Sequence, residues 1–304
     1  MKKNVLLTGG TGFIGKKLTE LLIENGFSVS ILSRTAKQNY ADISYFQWDV
    51  ESGTIDEEAI LKADYVIHLA GENIGAKRWT ASRKKAVLDS RVKSTKLLYT
   101  CLKLNNKKLD AFISASGVGI YGAITDEQLC DETTPPANDF LGTVCQEWES
   151  ATIPVNELGI RTVQIRTGLV LGKDDGVLKQ LVPLFRFKLG SAIGSGKQYM
   201  PWIHIEDLCQ IYLKAILDAT MQGPYNAAIN DKTTNTIFSE TLAKVFGYTI
   251  WLPNVPAFVL RLVLGEMAQL VLKGRRVASD KIEKTGFQFQ YADLEKALRN
   301  CLLR

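Results

Sequence analysis

A glycine-rich turn near the start of the chain constrains the fold most. Residues 4–18 read NVLLTGGTGFIGKKL and place Gly9, Gly12 and Gly15 between an apolar strand and a helical pattern. The first glycine permits a tight turn, the second lets backbone N–H groups approach a pyrophosphate, and the third allows close packing of helix on strand. The helix dipole favours the same anion. The turn therefore predicts a dinucleotide site.

A nucleoside triphosphatase is a rival interpretation of this turn. Residues 10–17 nearly spell the phosphate loop G-x-x-x-x-G-K of that class. The serine or threonine that would bind Mg²⁺ is replaced, because the lysine at position 16 is followed by Lys17. The pattern argues against this class.

The rest of the chain alternates strand-like and helix-like segments. Helical patterns such as 16–25, ended by Gly26, lie between apolar runs at 4–8, 28–32, 64–70, 110–115 and 160–166. This alternation predicts an α/β fold with a doubly wound parallel sheet covered on both faces. Residues 202–217 and 225–229 resemble a helix and a strand of the same sheet. We therefore predict a nucleotide-binding domain at 1–172, rejoined by about 202–229, and a smaller, interleaved substrate domain at 173–201 and 230–304.

Composition limits the partners. The 304 residues carry a net charge of +5, and the basic residues are spread along the chain. We therefore expect no nucleic-acid and no membrane partner. The apolar stretch 255–272 is interrupted by Arg261 and Glu266, which predicts a buried or amphipathic helix rather than a membrane span.

Cysteine and histidine usage points to the same kind of protein. The sequence has two histidines and five scattered cysteines without a C-x-x-C pair. This pattern predicts neither a metal site nor a disulfide framework and fits a reducing cytoplasm. The apolar stretch before the glycine turn is too short to be the apolar region of a signal peptide.

The end of the second predicted strand indicates which dinucleotide is bound. NAD-preferring sites carry an acidic residue there, about 20 residues after the glycines. Here Arg34 follows Gly15 by 19 residues, beside Ser33 and without an acid. The pair suits a 2′-phosphate and predicts NADP, although a solvated surface arginine would look the same. Asp49 and Val50 are placed to frame adenine.

The segment HLAG at 68–71 ends the third apolar run. Its small residues, including Gly71, supply a strand end for the phosphates and ribose. His68 itself lies within the apolar run. We interpret it as a core histidine.

Several blocks together resemble one family. The chain contains TGGTGFIG, LAGENIGAKRW, SRVKSTKLL, RTGLVLG, GSGKQYMPWIHIEDL and a C-terminal GRRVASDKIEKTGFQFQYADLEKAL. These blocks, spread over nearly the whole chain, resemble the extended short-chain dehydrogenase/reductase superfamily, in its atypical epimerase family branch. The resemblance implies a Rossmann domain and a smaller C-terminal substrate domain. It does not carry a settled substrate.

The resemblance also implies which residues bind the nucleotide. They are the glycine turn with Gly9, Thr11, Gly12, Phe13, Ile14 and Gly15, followed by Ser33, Arg34, Leu69, Ala70, Arg91 and Val170. Ser114, in the predicted strand at 110–115, completes the candidate cofactor site.

A catalytic pair typical of these reductases is missing. In ordinary members a Tyr-x-x-x-Lys pair carries out proton transfer, because the lysine lowers the pKa of the tyrosine. The corresponding segment here reads DFLGTVCQEWES, with Phe140 at the tyrosine place and Val144 or Cys145 at the lysine place. Cys145 is a possible nucleophile, although a lone cysteine on an apolar helix face is usually part of the core.

Other residues are candidates for the chemistry. Ser116 and Tyr121, in FISASGVGIYG, occupy the expected wall of a reductase site, where Tyr121 is either the proton donor or a wall residue. His204 is an alternative acid or base, or else a structural hydrogen-bonding group. Arg78, Trp79 and Trp202 are candidates to contact the substrate, and the arginine suits an anion.

These observations predict an NADP-binding oxidoreductase or isomerase, resembling the nucleoside-diphosphate-sugar epimerases. Its expected partner is a small polar, anionic substrate, and its expected state is a monomer or homodimer. The alternative from another class is a non-catalytic NADP-binding sensor or scaffold, related to cell division. The missing Tyr/Lys pair favours this alternative, whereas the second domain favours a substrate pocket.

Overall fold

The computed structural model describes residues 2–35, 37–173 and 175–303. The described strands are β1 Asn4–Thr8, β2 Ser28–Ser33, β3 Ile43–Asp49, β4 Thr54–Ile55, β5 Tyr65–His68, β6 Ala111–Gly117, β7 Leu129–Cys130, β8 Thr162–Thr167, β9 Leu169–Leu171, β10 Trp202–His204, β11 Gly223–Ala227 and β12 Arg276–Val277. The described α-helices are α1 Phe13–Glu24, α2 Glu57–Lys62, α3 Ala81–Leu104, α4 Phe140–Ser150, α5 Ile153–Glu157, α6 Gly176–Arg186, α7 Ile205–Leu217, α8 Asn235–Val245, α9 Ala257–Leu264, α10 Gln269–Leu272, α11 Asp280–Glu283 and α12 Leu294–Leu303.

One large sheet organises the chain and confirms the predicted α/β class. Its strand order is β11–β8–β6–β5–β1–β2–β3–β4, with parallel pairing except between β3 and β4. The order reverses direction beside β1, because β2 and β3 extend to one side and β5 and β6 to the other. In sheets of this kind, ligands bind outside the carboxyl ends of the strands at that reversal. The glycine turn follows β1 at this edge.

Two apolar clusters cover the sheet. One contains Val5, Leu7 and Ile113, and packs the sheet against α1 and α7. The other contains Leu6, Val66 and Phe112, and packs the opposite face against α2 and α3. Neighbouring residues of one strand enter different clusters because strand side chains alternate between faces. This explains the continuous apolar runs of the sequence.

The C-terminal half has a core of its own. A third cluster joins β10, α8 and α12 through Trp202, Phe238 and Leu298. The chain returns to the large sheet between these elements, since β11 pairs with β8 in parallel. The five cysteines are free and buried.

Two segments differ from their sequence-based assignment. Trp202 and His204 do not begin a helix; they form β10, which pairs with β9, and α7 begins only at Ile205. The stretch 255–272 is not one helix, because Gly265, at φ +61°, ends α9 and a short 3-10 turn separates it from α10. Among the described residues, no helix is both long and apolar enough to span a membrane.

Candidate active site

The glycine turn is closed tightly on itself. Gly9 has φ +70°, a left-handed conformation that favours glycine, and its carbonyl oxygen accepts the Gly12 N–H at 2.9 Å. A Cβ on Gly15 would lie 2.3 Å from the Gly9 carbonyl oxygen and 2.6 Å from Gly10 Cα. Both obstacles are backbone, so no side-chain movement could relieve them. Gly15 is therefore required for α1 to approach β1 this closely.

The first turn of α1 suits an anion. Gly12 precedes it without a side-chain cap, and the turn contains no acidic residue. Thr11 and Gly12 are exposed, and Ile14 is half-buried. The Phe13 ring packs on Gly172, where a Cβ would lie 2.4 Å from the ring. Gly172 directly follows β9, the strand that contains Val170. The helix N-terminus is thus held by the packing of Phe13 on Gly172, while Thr11 and Gly12 leave its backbone N–H groups accessible to a phosphate.

The ends of β1 and β5 are joined by buried hydrogen bonds. Thr8 Oγ1 accepts the Leu69 and Ala70 N–H groups, both at 3.1 Å, and lies 2.7 Å from His68 Nδ1. The other ring nitrogen, Nε2, lies 3.1 Å from Ser94 Oγ. Complete burial lowers the pKa of His68 to about 3, mainly through desolvation. His68 is therefore a neutral core residue that fixes the strand ends next to the glycine turn.

His68 gives a testable pH dependence. The folded protein keeps the ring neutral down to a pKa of about 3, whereas the unfolded chain protonates near 6.5. The stabilisation is complete above pH 6.5 and is lost as the pH falls towards 3. Between pH 7 and pH 5 the free energy of unfolding should fall by about 2 kcal/mol from this residue. Urea unfolding of wild type and His68→Gln at both pH values checks this. An equal change in the free energy of unfolding between the two pH values in both proteins would contradict it.

The predicted ribose edge lies at the end of β2. Ser33 is buried and its Oγ accepts the Thr35 N–H at 3.3 Å, whereas Arg34 is exposed. At the end of β3, Asp49 Oδ1 accepts the Glu51 N–H at 2.9 Å, and this hydrogen bond lowers the pKa of the carboxyl group. Val50 is half-buried beside it. The acid thus lies on the neighbouring strand and not on the one that carries Arg34.

Arg91 is a half-buried cation beneath the HLAG segment. Its Nη1 donates to the carbonyl oxygens of Glu72 at 3.1 Å and Val87 at 2.9 Å, and its guanidinium lies 4.8 Å from the Trp148 ring centre. A Cβ on Gly71 would lie 3.1 Å from Arg91 Cζ. The structure therefore places Arg91 directly against Gly71, as two residues of the predicted cofactor site.

The inner wall of the site is apolar. A Cβ on Gly119 would lie 3.5 Å from Leu141 Cβ, and one on Gly117 would lie 3.7 Å from Cys145 Sγ. The helix residues that face Gly117, at the end of β6, and Gly119 are therefore 141 and 145, four apart on one face of α4. The sequence analysis assigned Phe140 to the tyrosine place and Val144 or Cys145 to the lysine place. The structure corrects the first assignment to Leu141 and selects Cys145 for the second.

Phe140 and Val144 lie elsewhere because Asp139 caps α4. The Asp139 carboxylate accepts the Gly142 N–H at 2.8 Å and fixes where the helix begins. Phe140 then packs edge-on against Trp79, with 4.8 Å between ring centres, and Val144 is buried. Burial raises the pKa of Cys145 to about 12, which argues against a nucleophile and for a core residue.

Tyr121 belongs to a buried polar cluster. Its hydroxyl donates to Asn226 Oδ1 at 2.7 Å and accepts from Arg166 Nη1 at 3.0 Å. Arg166 also donates twice to Glu149, both at 2.8 Å, and Ser116 donates to Glu149 Oε1 at 2.7 Å. Desolvation raises the pKa of Tyr121 to about 12. We call these five residues the Tyr121 cluster.

The cluster connects both parts of the chain. Asn226 Nδ2 donates to the Ala278 carbonyl at 3.0 Å, just after β12, and its N–H donates to Glu132 Oε1 at 2.7 Å. Ser114, on the same strand as Ser116, is buried and donates to the Ala115 carbonyl at 3.0 Å. The hydroxyls that drew attention in the sequence therefore bond to protein groups.

Tyr121→Phe tests whether this tyrosine is a wall residue. The variant keeps the ring and leaves Asn226 and Arg166 each without one partner. We expect a loss of about 1–3 kcal/mol in the free energy of unfolding and unchanged dinucleotide affinity. Denaturant unfolding and calorimetric titration measure the two quantities. A variant of full stability that loses turnover would contradict the structural assignment.

His204 and Trp202 are buried. His204 Nδ1 accepts the Glu206 N–H at 3.2 Å and so caps α7, and its ring stacks on Tyr291 with 3.8 Å between centres. Trp202 Nε1 donates to Asp231 Oδ2 at 2.9 Å. These contacts favour a structural role for His204 and place Trp202 in the C-terminal core. Their predicted roles towards substrate stay predictions.

Two arginines outside the glycine turn are candidates to contact an anion. Arg78 is exposed and lies beside Gly265, where a Cβ would be 2.9 Å from Arg78 Nη2. Arg276 lies with its guanidinium 5.9 Å from the Tyr199 ring centre, and its Nε is buried without a hydrogen-bond partner among the described residues. Trp79 is buried and donates to the Ile74 carbonyl at 2.9 Å. No local sequence pattern distinguishes Arg276, because its lack of a paired carboxylate within the described chain is visible only in three dimensions.

Comparison with known proteins agrees with this geometry. The model of the NAD dependent epimerase/dehydratase family matches residues 5–228, which include β1 to β11 and the glycine turn. The chain belongs to this family. A domain of unknown function, DUF1731, matches residues 255–301 of this chain, from before α9 to within α12. The suspected epimerase family resemblance is thereby confirmed.

Individual relatives cover nearly the whole length of this family member. Epimerase family protein YfhF of Bacillus subtilis is 36% identical over 296 residues, which are 97% of this chain and 96% of that protein. The crystal structure of human epimerase family protein SDR39U1 with NADPH is similar with a TM-score of 0.89 at 32% identity, and the match covers 99% of each chain. A nucleoside-diphosphate sugar epimerase from Corynebacterium glutamicum gives a TM-score of 0.79 at 31% identity, covering 99% of this chain and 58% of that one.

Proposed function

We propose that this family member binds NADP(H) at the glycine turn and is an oxidoreductase or isomerase. The observation that carries the proposal is the combination of an open helix N-terminus at Gly12 with Ser33 and Arg34 at the end of β2. The helix end suits a pyrophosphate, and the arginine suits a 2′-phosphate that a carboxylate would repel. NADPH in the similar human protein supports the same assignment.

The residues present fit such a cofactor. Gly15 and Gly9 leave the space that a Cβ would fill, and the first turn of α1 carries no acid. When bound, the nicotinamide supplies hydride transfer. The chain's own residues would bind and orient this cofactor: the glycine turn would hold its phosphates, and Leu69 and Ala70 would contact its ribose. Arg91 lies against Gly71 beside them.

The substrate we propose is a small anion. Arg275 is paired with Asp126. Its neighbour Arg276 is partly buried, has no carboxylate within salt-bridge distance among the described residues, and lies beside Tyr199. Because the Nε of Arg276 is buried without a partner among the described residues, an anionic group on the substrate would give this arginine a counter-ion. Arg78 is exposed and lies beside Gly265. Gly265 belongs to the segment that leads to Arg276. Together they support an acidic or phosphorylated substrate.

Proton transfer in this family member should not follow the Tyr/Lys pattern. Leu141 and Cys145 face Gly119 and Gly117, and neither is a proton donor near neutral pH. The Tyr121 hydroxyl is bonded on both sides, and its pKa is raised to about 12. We therefore assign Tyr121 to the support of the wall, and we propose that the proton is exchanged with substrate or solvent rather than with a side chain of this wall.

Arg34→Ala tests the cofactor assignment. Because a charge-assisted contact to phosphate is worth about 1.5–3 kcal/mol, NADPH affinity should fall by about 10- to 150-fold while NADH affinity hardly changes. Calorimetric titration of both dinucleotides measures this. Lys37→Ala, which removes a cation from the same loop, is the matched control. A variant that keeps its preference for NADPH would contradict the assignment.

A further inference from the structure

A large apolar surface remains exposed on the C-terminal part. It is formed by Phe187, Leu189, Trp251, Phe258, Leu262 and Val263, and we call it the apolar face. Phe187 and Leu262 are 74% and 76% exposed, and α9 contains no buried residue. Monomeric soluble proteins rarely expose so many large apolar side chains in one region. Such an exposed apolar surface is typical of an interaction site.

Hydrogen bonds to backbone carbonyl groups bring its segments together. Trp251 Nε1 donates to the Lys188 carbonyl at 3.0 Å, between Phe187 and Leu189. Further along, the Val255 N–H donates to the Ala192 carbonyl at 2.8 Å, and α9 begins two residues later. The end of α6 thus lies beside the Trp251 loop, 63 residues further along the chain, and α9 begins close to the segment that follows Leu189.

The charged side chains on these segments are mostly positive. Residues 176–198 and 250–273 contain six cations and one carboxylate, Glu266. The exposed cations are Lys179, Arg186, Lys188, Lys197, Arg261 and Lys273, which we call the basic rim. Within the described chain none of them has a carboxylate at salt-bridge distance, and Glu266 is paired with Lys84. Arg186 and Lys188 directly flank Phe187.

We infer that the apolar face docks on an anionic lipid surface. Aromatic and aliphatic side chains next to lysines and arginines enter the boundary between headgroups and acyl chains, while the cations contact anionic headgroups. A second copy of this chain fits less well, because pairing the same face in two copies brings two basic rims together. The expectation of no membrane partner rested on charge spread along the sequence; folding gathers part of that charge beside the apolar face.

Trp251 makes the inference directly measurable. It is 68% exposed, whereas Trp48, Trp79, Trp148 and Trp202 are buried. Fluorescence of the full chain is measured with vesicles of phosphatidylcholine, alone or mixed with phosphatidylglycerol, and with brominated acyl chains in either. We expect a blue shift and bromine quenching only with the anionic vesicles, both reduced by added salt. Trp251→Phe should remove the quenching and keep the binding in a sedimentation assay.

Paired variants separate the apolar and the charged contributions. Phe187→Ser with Phe258→Ser, and Arg186→Glu with Lys188→Glu, should each reduce vesicle binding by about tenfold or more. Matched controls elsewhere on the surface, Leu104→Ser with Leu217→Ser and Lys284→Glu with Lys296→Glu, should leave it unchanged. Circular dichroism and NADPH titration verify that each variant is folded.

Three results would overturn the inference. The first is no binding to anionic vesicles at low salt. The second is salt-sensitive binding without bromine quenching, which would indicate an acidic partner held by charge alone. The third is a dimer in sedimentation velocity that Phe187→Ser with Phe258→Ser converts to a monomer, which would assign the face to a second copy.

Discussion

Gly15→Ala should abolish dinucleotide binding. The new Cβ would lie 2.3 Å from the Gly9 carbonyl oxygen, and a backbone obstacle cannot rotate away. The turn and the start of α1 must separate, which displaces several N–H groups from the phosphates. Because each such charge-assisted hydrogen bond is worth about 1.5–3 kcal/mol, NADPH affinity should fall by at least about a hundredfold. Overpacking should also cost about 1–3 kcal/mol of stability.

Gly159→Ala is the matched control. Gly159 has a positive φ, +75°, unlike Gly15, and a Cβ added there would meet no atom within 4 Å. It should lose about 1–2 kcal/mol of stability from backbone strain and keep full NADPH affinity. Calorimetric titration and urea unfolding of both variants give the comparison. Gly15→Ala with wild-type affinity would show that the turn is not the phosphate site.

Glu149→Ala should be the most destabilising single change in the Tyr121 cluster. Glu149 receives two hydrogen bonds from Arg166, whose side chain is only 6% exposed. Removing the carboxylate leaves a buried guanidinium without its counter-ion. Breaking a buried pair from one side costs about 3–5 kcal/mol. Denaturant unfolding at neutral pH measures this value.

The double variant Glu149→Leu with Arg166→Met is its control. Replacing both members of a buried ion pair with apolar groups of similar volume removes the uncompensated charge, so part of the loss should be recovered. A single variant that loses less than about 1 kcal/mol would contradict the buried pair. Equal losses in the single and double variants would do the same.

The framework of the site could be predicted because it depends on local backbone requirements. The glycine turn between β1 and α1 needs glycines for steric reasons, and those reasons are visible in TGGTGFIG itself. Continuous apolar strands alternating with helices indicate a sheet covered on both faces. His68 was interpreted as a core residue from its apolar neighbours, and its burial agrees with that.

Other features depend on contacts between distant segments. The three-residue strand β10 is too short to show a period of two, so its residues were assigned to the following helix. Which face of α4 meets Gly117 is fixed by the Asp139 cap, and a one-residue error there exchanges Phe140 for Leu141. The bonds of Tyr121 to Asn226 and Arg166 join residues 105 and 45 positions away. No local pattern contains such partners.

A crystal structure of the wild-type protein with NADPH tests the central claim most directly, through the side chains nearest nicotinamide C4. We expect Leu141 and Cys145 within van der Waals contact, about 4 Å, and the Tyr121 hydroxyl still bonded to Asn226. The 2′-phosphate should contact Arg34. A Tyr121 hydroxyl or a His204 ring turned towards C4 would contradict the apolar wall and return proton transfer to the protein.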